Sequence, residues 1–222
     1  SNYYIKILLK DEGINEEEVN SYTYYTFAEL TLIILYISTI TSISMYKERF
    51  LHTMTRLKVS NTNKFNILIS KIALGIIIGL MQIFLVYIVS TKLLYVDWGE
   101  NLIYIMMVLI SLIIFSSVLG IFISMIFSDQ KTAYTINNIL IIIMGFLGGS
   151  YVPICLVKSV RITSFICNIM PSYWANIAIL GLSYNIETKY YIISIFISLS
   201  LSVLMLILGN FISRQKVGGS FD

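Results

Sequence analysis

The sequence predicts an all-α membrane protein: five transmembrane helices, one amphipathic helix outside the lipid, and short re-entrant or interfacial helices. Three observations predict it. Of the 222 residues, 57% are hydrophobic and only 12% charged, with mean hydropathy +0.84, which excludes an ordinary soluble domain. Apolar runs of about 20 residues, the length that crosses a hydrocarbon core of about 30 Å, recur between short polar stretches. Dense charge is confined to one run, Tyr46-Lys47-Glu48-Arg49-Phe50-Leu51-His52-Thr53-Met54-Thr55-Arg56-Leu57-Lys58.

Residues 1–26 are polar and acidic, with a helix start at Asn15 followed by Glu16, Glu17 and Glu18, and with Tyr22, Tyr24, Tyr25 and Phe27 suited to a membrane interface. The first span is expected at 27–45, with Glu29 near its outer end and able to reach water; a substrate path is the other reading of that carboxylate. In the charged run, Phe50, Met54 and Leu57 share one helical face, with Leu51 at its edge. Glu48, Arg49, His52, Thr55 and Arg56 take the opposite one. A second span follows at 67–91. Lys71 in its first turn can snorkel, Gly75 and Gly79 allow a close helix approach, and Gln82 lies near mid-membrane.

The loop 92–101 places Asp97 and Trp98 at an interface, and the third span runs over 102–127 with Ser116, Ser117 and Gly120 as small packing residues. A short turn at 128–132 leads into the fourth span, which starts near Ala133, carries Asn137 and Asn138, and breaks at Gly148-Gly149-Ser150-Tyr151-Val152-Pro153. Between 154 and 175, the stretches 154–160 and 162–170 are too short to span and end at Met170-Pro171-Ser172-Tyr173-Trp174. The last span is expected at 190–212, with Ser194, Ser198 and Ser202 on one packing stripe.

Orientation follows from Lys and Arg. Lys47, Arg49, Arg56, Lys58 and Lys64 fall in the 46–66 loop, and Arg214 and Lys216 in the tail. Lys92–Asn101 offers one Lys beside Asp97 and Glu100, and 154–189 offers Lys158, Arg161 and Lys189 over a greater length. The cell membrane is thus the expected location, with residues 47–66 and the tail 213–222 cytoplasmic and residues 1–26 extracellular. Five spans with an outer N-terminal segment lead one to expect an earlier span before Ser1.

No catalytic constellation is present: His52 is the single histidine, there is no HExxH, and no metal-ligand spacing occurs. No GxxxxGK[ST] loop exists to cradle ATP, so a nucleotide site would belong to another chain. A net charge of +3 gives no reason to expect nucleic acid. Cys155 and Cys167 could pair or serve as small apolar residues. The charged helix could lie on anionic lipid headgroups or dock in a partner's groove. A secondary transporter and a non-transporting membrane scaffold are the alternative functions; against the former, no span carries a buried charge to couple an ion.

Three stretches carry a resemblance to the membrane subunit of ABC-2-type ATP-binding-cassette transporters. Lys47-Glu48-Arg49 followed by Arg56-Leu57-Lys58-Val59-Ser60, with Lys71 leading the next span, resembles that family's coupling segment. Gly148-Gly149-Ser150-Tyr151-Val152-Pro153 is similar to its exit from the fifth span, and Met170-Pro171-Ser172-Tyr173-Trp174-Ala175 to the element after its outer helices. The likeness covers nearly all of 27–212, lacks the family's first span, and departs from it at His52-Thr53, at Asn61 and in having no Pro between the outer helices.

The resemblance implies an ABC permease subunit, not itself an enzyme, working as a homo- or heterodimer within membrane lipid. A cytoplasmic ABC ATPase carrying ATP and Mg would dock on the coupling helix 47–58, through Lys47, Glu48, Arg49, Phe50, Leu51, Met54, Arg56 and Leu57. Export is the direction it implies. Gly148, Gly149, Pro153, Pro171, Tyr173 and Trp174 would form an outer gate, and Gln82, Asn137 and Asn138 would line the path.

Overall fold

Apolar runs with small residues at helical spacing become nine helices among the residues that the computed structural model describes: 21–50, 64–159, 161–184 and 189–218. They are α1 (Ser21–Leu35), α2 (Ile37–Phe50), α3 (Lys64–Leu93), α4 (Leu102–Ile126), α5 (Gln130–Leu147), α6 (Ile154–Lys158), α7 (Arg161–Cys167), α8 (Pro171–Ser183) and α9 (Lys189–Gly218). No strand occurs among the described residues. Most of the charged 47–58 segment, including Leu51, Met54, Arg56 and Leu57, lies outside them, as does the acidic segment before Ser21.

Four helical runs are long and apolar enough to cross a membrane: Ser21–Glu48, Asn66–Leu93, Leu102–Ile126 and Lys189–Ile212. The five expected spans are thus four by this measure. The run expected after Ala133 is α5, 18 residues long, and its first half is polar with Gln130, Lys131, Asn137 and Asn138. Asp129 caps it by accepting from the Thr132 N–H (2.9 Å) and hydroxyl (2.8 Å). Those bonds hold the Asp129 carboxyl below its usual range.

The first span corrects the sequence reading in length. Its described part starts at Ser21, ahead of the expected Phe27, and continues as helix to Phe50, so Lys47 and Glu48 extend the same rod and do not start a separate helix. Thirty residues make a rod of about 45 Å. The Ser, Thr and Tyr of 21–26 masked that start, because they read as an interface. Tyr24 and Phe27 are in fact buried, and only Tyr22 and Tyr25 of the cluster face outward.

Helix α4 is the hub, packing against α1, α2, α3, α5, α8 and α9. Sixty-one per cent of its span window is buried, and 67% of the first span's, against 17% for α3 and 22% for α9, so the first two form the centre and the last two the flanks. Burial in lipid yields little hydrophobic gain between helices, so close approach through small residues drives this packing. Ser111, Ser116, Ser117, Gly120 and Ser124 supply it from α4. A Cβ on Gly120 would meet the Ser38 carbonyl oxygen at 2.0 Å, so no larger residue admits α2 there. Gly75 and Gly79 bring α3 against Ser117 and Ile113. The stripe Ser194, Ser198 and Ser202 on α9 is buried, as its spacing predicted.

The 154–183 region differs from expectation. Pro171 does not end a helix; it occupies the first turn of α8, where its missing N–H costs nothing. Thirteen residues give about 20 Å, too short to span, yet α8 is buried along most of its length against α1, α4, α5 and α9. Trp98, in the loop between α3 and α4, is buried within the protein, edge-on against Phe27 and Tyr87, donating to Ser90 Oγ (3.0 Å).

Candidate functional site

Two polar constructions break the apolar fold, one at each end of the first span. At the Glu48 end, the Lys71 Nζ donates to Ser44 Oγ (2.8 Å) and forms an ion pair with Glu48 Oε1. The Lys71 side chain is 9% exposed and that of Glu48 27%, so Lys71 does not snorkel and Glu48 does not face solvent as its helical position suggested. A pair this sheltered is costly to leave incomplete. It fixes the end of α2 against the second turn of α3, so the segment 51–63 leaves and returns at one braced point. Lys47 is exposed beside it, and positions 49 and 50 close α2. Next to this brace, the Tyr46 hydroxyl donates to the Phe127 carbonyl (2.6 Å), capping the end of α4.

Midway along the rod, the α1–α2 junction at Tyr36 interrupts the helical bonding, and the interruption has an identifiable cause. The Ser116 hydroxyl from α4 accepts from the Ser38 N–H (3.0 Å) and lies within hydrogen-bond distance of the Ile34 (2.8 Å) and Leu35 (2.9 Å) carbonyls. A side chain has inserted where the Ser38 to Ile34 backbone bond would run.

At the other end, the chain leaves α5 through Gly148, Gly149 and Ser150. Gly149 has φ +91°, a conformation that side chains resist, and a Cβ there would lie 2.8 Å from the Tyr24 oxygen. Non-helical backbone at such a place needs partners from the protein, and each freed carbonyl has one. Met144 accepts from Ser172 Oγ (2.8 Å), Gly145 from the Ser150 N–H (2.9 Å), Leu147 from Cys167 Sγ (3.4 Å), and Gly148 from Asn176 Nδ2. Gly149 accepts from the Tyr24 hydroxyl (2.9 Å), which in turn accepts from the Ile154 N–H (3.1 Å). Ser150 Oγ donates to the Ala28 carbonyl (2.7 Å), and Thr31 Oγ1 donates to Asn176 Oδ1 (3.0 Å).

This turn collects several of the residues singled out from the sequence. Pro153 precedes α6, and Tyr173 is 1% exposed, with Lys158 Nζ 5.2 Å from its ring centre. Trp174 packs edge-on against Tyr173, stacks on Tyr190, and donates to the Asn168 carbonyl (2.7 Å). Of the residues that hold the turn, the sequence marked Tyr24 only as interfacial and Ser172 only as part of the Pro-Ser-Tyr-Trp stretch, and it did not mark Asn176; Asn176 follows Trp174 by two residues, but only the start of α8 at Pro171 gives it a place. Cys167 is a free, buried thiol whose pKa desolvation pushes up, and the side chain of Cys155 lies outside the described residues.

Gln82, Asn137 and Asn138 are not brought together. Asn137 is fully buried in a narrow polar cleft with Thr39, Ser42, Tyr46 and Gln130, its Nδ2 donating to Thr39 Oγ1 (2.7 Å) and its Oδ1 without a hydrogen bond. Asn138 turns back to the Tyr134 carbonyl (2.9 Å), and Gln82 lies in an apolar groove of α3. No group of three or more His, Cys, Asp or Glu occurs among the described residues.

A family model described as ABC-2 family transporter protein matches residues 2–216. The chain belongs to this family. The four long apolar helices and the family together make it a multi-pass membrane protein, the membrane subunit of an ABC-2 type transporter. Searches of curated proteins and of solved structures found no match. In this ABC-2 protein, the braced 48–71 junction and the bonded turn after α5 lie at opposite ends of the first span.

Proposed function

We propose that the ABC-2 protein is the permease half of an ATP-driven exporter whose ATPase is a separate cytoplasmic chain docking on residues 47–58. The observation that carries this is the Glu48–Lys71–Ser44 brace. A push on the segment between 48 and 71 passes into α2 and α3 together, because the pair makes their ends one body. The sequence holds no phosphate-cradling loop of its own, and the apolar face Phe50, Met54 and Leu57 suits a partner's groove. ATP and Mg belong to that partner.

Helix α5 acts as the fifth span. It runs antiparallel to α1–α2 between two bonds, Tyr46 to Phe127 at one end and Tyr24 to Gly149 at the other. The 22 residues separating the two tyrosines rise about 33 Å, the thickness of a hydrocarbon core. The basic loop and the tail face the cytoplasm, and the Gly148–Trp174 region closes the opposite side. Two membrane subunits, identical or homologous, complete the path. Rigid-body motion of α2 relative to α5 opens the Thr39–Asn137 cleft, placing Asn137 and Asn138 on the path, with Gln82 on the flank.

Replacing Phe50 and Met54 with Asp tests the docking. The purified variant keeps the unfolding midpoint of the parent in detergent but no longer co-purifies with the ATPase. Retention of the ATPase by a folded variant would overturn the proposal.

A further inference from the structure

Glu29 is not at the end of its helix. With helix already running at Ser21, the carboxylate lies at least eight residues in, about 12 Å along the axis from Ser21 and one turn beyond Tyr25. It is exposed on the chain and has no hydrogen-bond or ion-pair partner among the described residues. It lines a cleft of about 570 Å³ between α1 and the second half of α3. That volume falls within the roughly 300–1,000 Å³ of small-molecule sites. The α1 wall presents Tyr22, Tyr25 and Ile33 at helical spacing with Glu29, and the α3 wall presents Leu85 and Val89.

The chemistry of this cleft is uneven. Its walls are apolar and its mouth aromatic, and the one charge in it is negative. No cation among the described residues neutralises this carboxylate, which stands beside apolar side chains, so a positive group is its complement. Neutral hydrophobes would fill the cleft without supplying that group, and anions would meet like charge. An apolar body carrying one positive charge satisfies walls and carboxylate together, and the tyrosine rings at the mouth favour the same sign of charge.

The geometry points to a binding site for a lipophilic cation, with its apolar part between α1 and α3 and its charge against Glu29. As a statement about cargo the inference rests on the permease reading; as a binding site it stands on the cleft. The test therefore uses neither ATP nor a partner, so either can fail while the other stands.

Tetraphenylphosphonium is the probe, measured by equilibrium dialysis against the full chain in phosphatidylcholine nanodiscs, with neutral triphenylphosphine oxide as control. The cation binds saturably and the neutral compound does not. Glu29→Gln weakens binding about tenfold, the scale of one lost charge pair in a cleft of mostly apolar lining, and Glu29→Asp retains it. Leu85→Trp, a change at an exposed position that fills the cleft and leaves the carboxylate in place, also weakens binding and keeps the test decisive if Glu29→Gln fails to fold. Absence of saturable binding to the parent chain, as when another helix of the assembly fills the cleft, overturns the inference. So does equal binding of the neutral compound, or unchanged binding by a folded Glu29→Gln or Leu85→Trp variant.

Discussion

At Tyr24 one phenol hydroxyl serves two backbone groups of a distant segment, the Gly149 carbonyl and the Ile154 N–H. Its neighbour Tyr25 is 41% exposed and makes a ring contact only with Tyr24. Two residues of one type, adjacent in a cluster that reads as interfacial, therefore differ in role. Removing the Tyr24 hydroxyl strands a buried donor and a buried acceptor, at about 1–3 kcal/mol. Tyr24→Phe is expected to lower stability in detergent by that amount, and Tyr25→Phe to stay within about 0.5 kcal/mol of the parent. Thermal unfolding of the two variants side by side checks this. The difference was not legible in the sequence, because helical phase is uncertain until the helix start is known. Helix that already runs at Ser21, ahead of Phe27, also turns Glu29 from an end residue into one about two turns inside.

At the scale of the element, the first span and α3 are joined by the Lys71–Glu48 pair. Each residue alone reads as a solvated charge near a helix end, and only the packing of α2 against α3 shows them facing each other. Breaking the pair by Lys71→Met leaves the Glu48 carboxylate in a sheltered site. The expected loss is about 2 kcal/mol, below the roughly 3–5 kcal/mol of a fully buried pair because Glu48 keeps partial exposure. The double variant Glu48→Gln, Lys71→Met is expected to recover most of that loss. Denaturation of the single and double variants measures the coupling directly, and a double variant no better than Lys71→Met would show that the two act independently.

Other elements were more legible. The runs 67–91, 102–127 and 190–212 appear as α3, α4 and α9 because continuous apolar sequence of span length has few other uses. The Gly75/Gly79 pair and the serine stripe of α9 appear on packed faces for the same reason, small residues being what admits a neighbour. Helix α8 was missed because Pro171 has two meanings, a stop after one helix and a start for the next. Ser116 was legible as small but not as a wedge, since the carbonyls it reaches lie about 80 residues earlier.

At the scale of the whole molecule, α4 holds the flanking helices around the first span, with a bonded turn at one end and a charge brace at the other. The family membership was legible from the order of the charged run, the Gly-rich exit and the Pro-Ser-Tyr-Trp stretch, and the match over 2–216 confirms it. The partner, the direction of transport and the pairing of subunits are properties of an assembly, and they rest on the proposal made above.

One measurement bears on that proposal most directly. Spin labels at Lys47 and Lys131, both exposed, report the separation of the α2 end from the start of α5. Cys155→Ser and Cys167→Ser provide the background. In the complex with its ATPase, trapping ATP is expected to shift this distance by about 2 Å or more, the size of helix shifts at moving interfaces. The Phe50→Asp, Met54→Asp variant is expected to show no shift. An identical distance with and without ATP in the intact complex would contradict the claim that ATP closure moves this chain through residues 47–58.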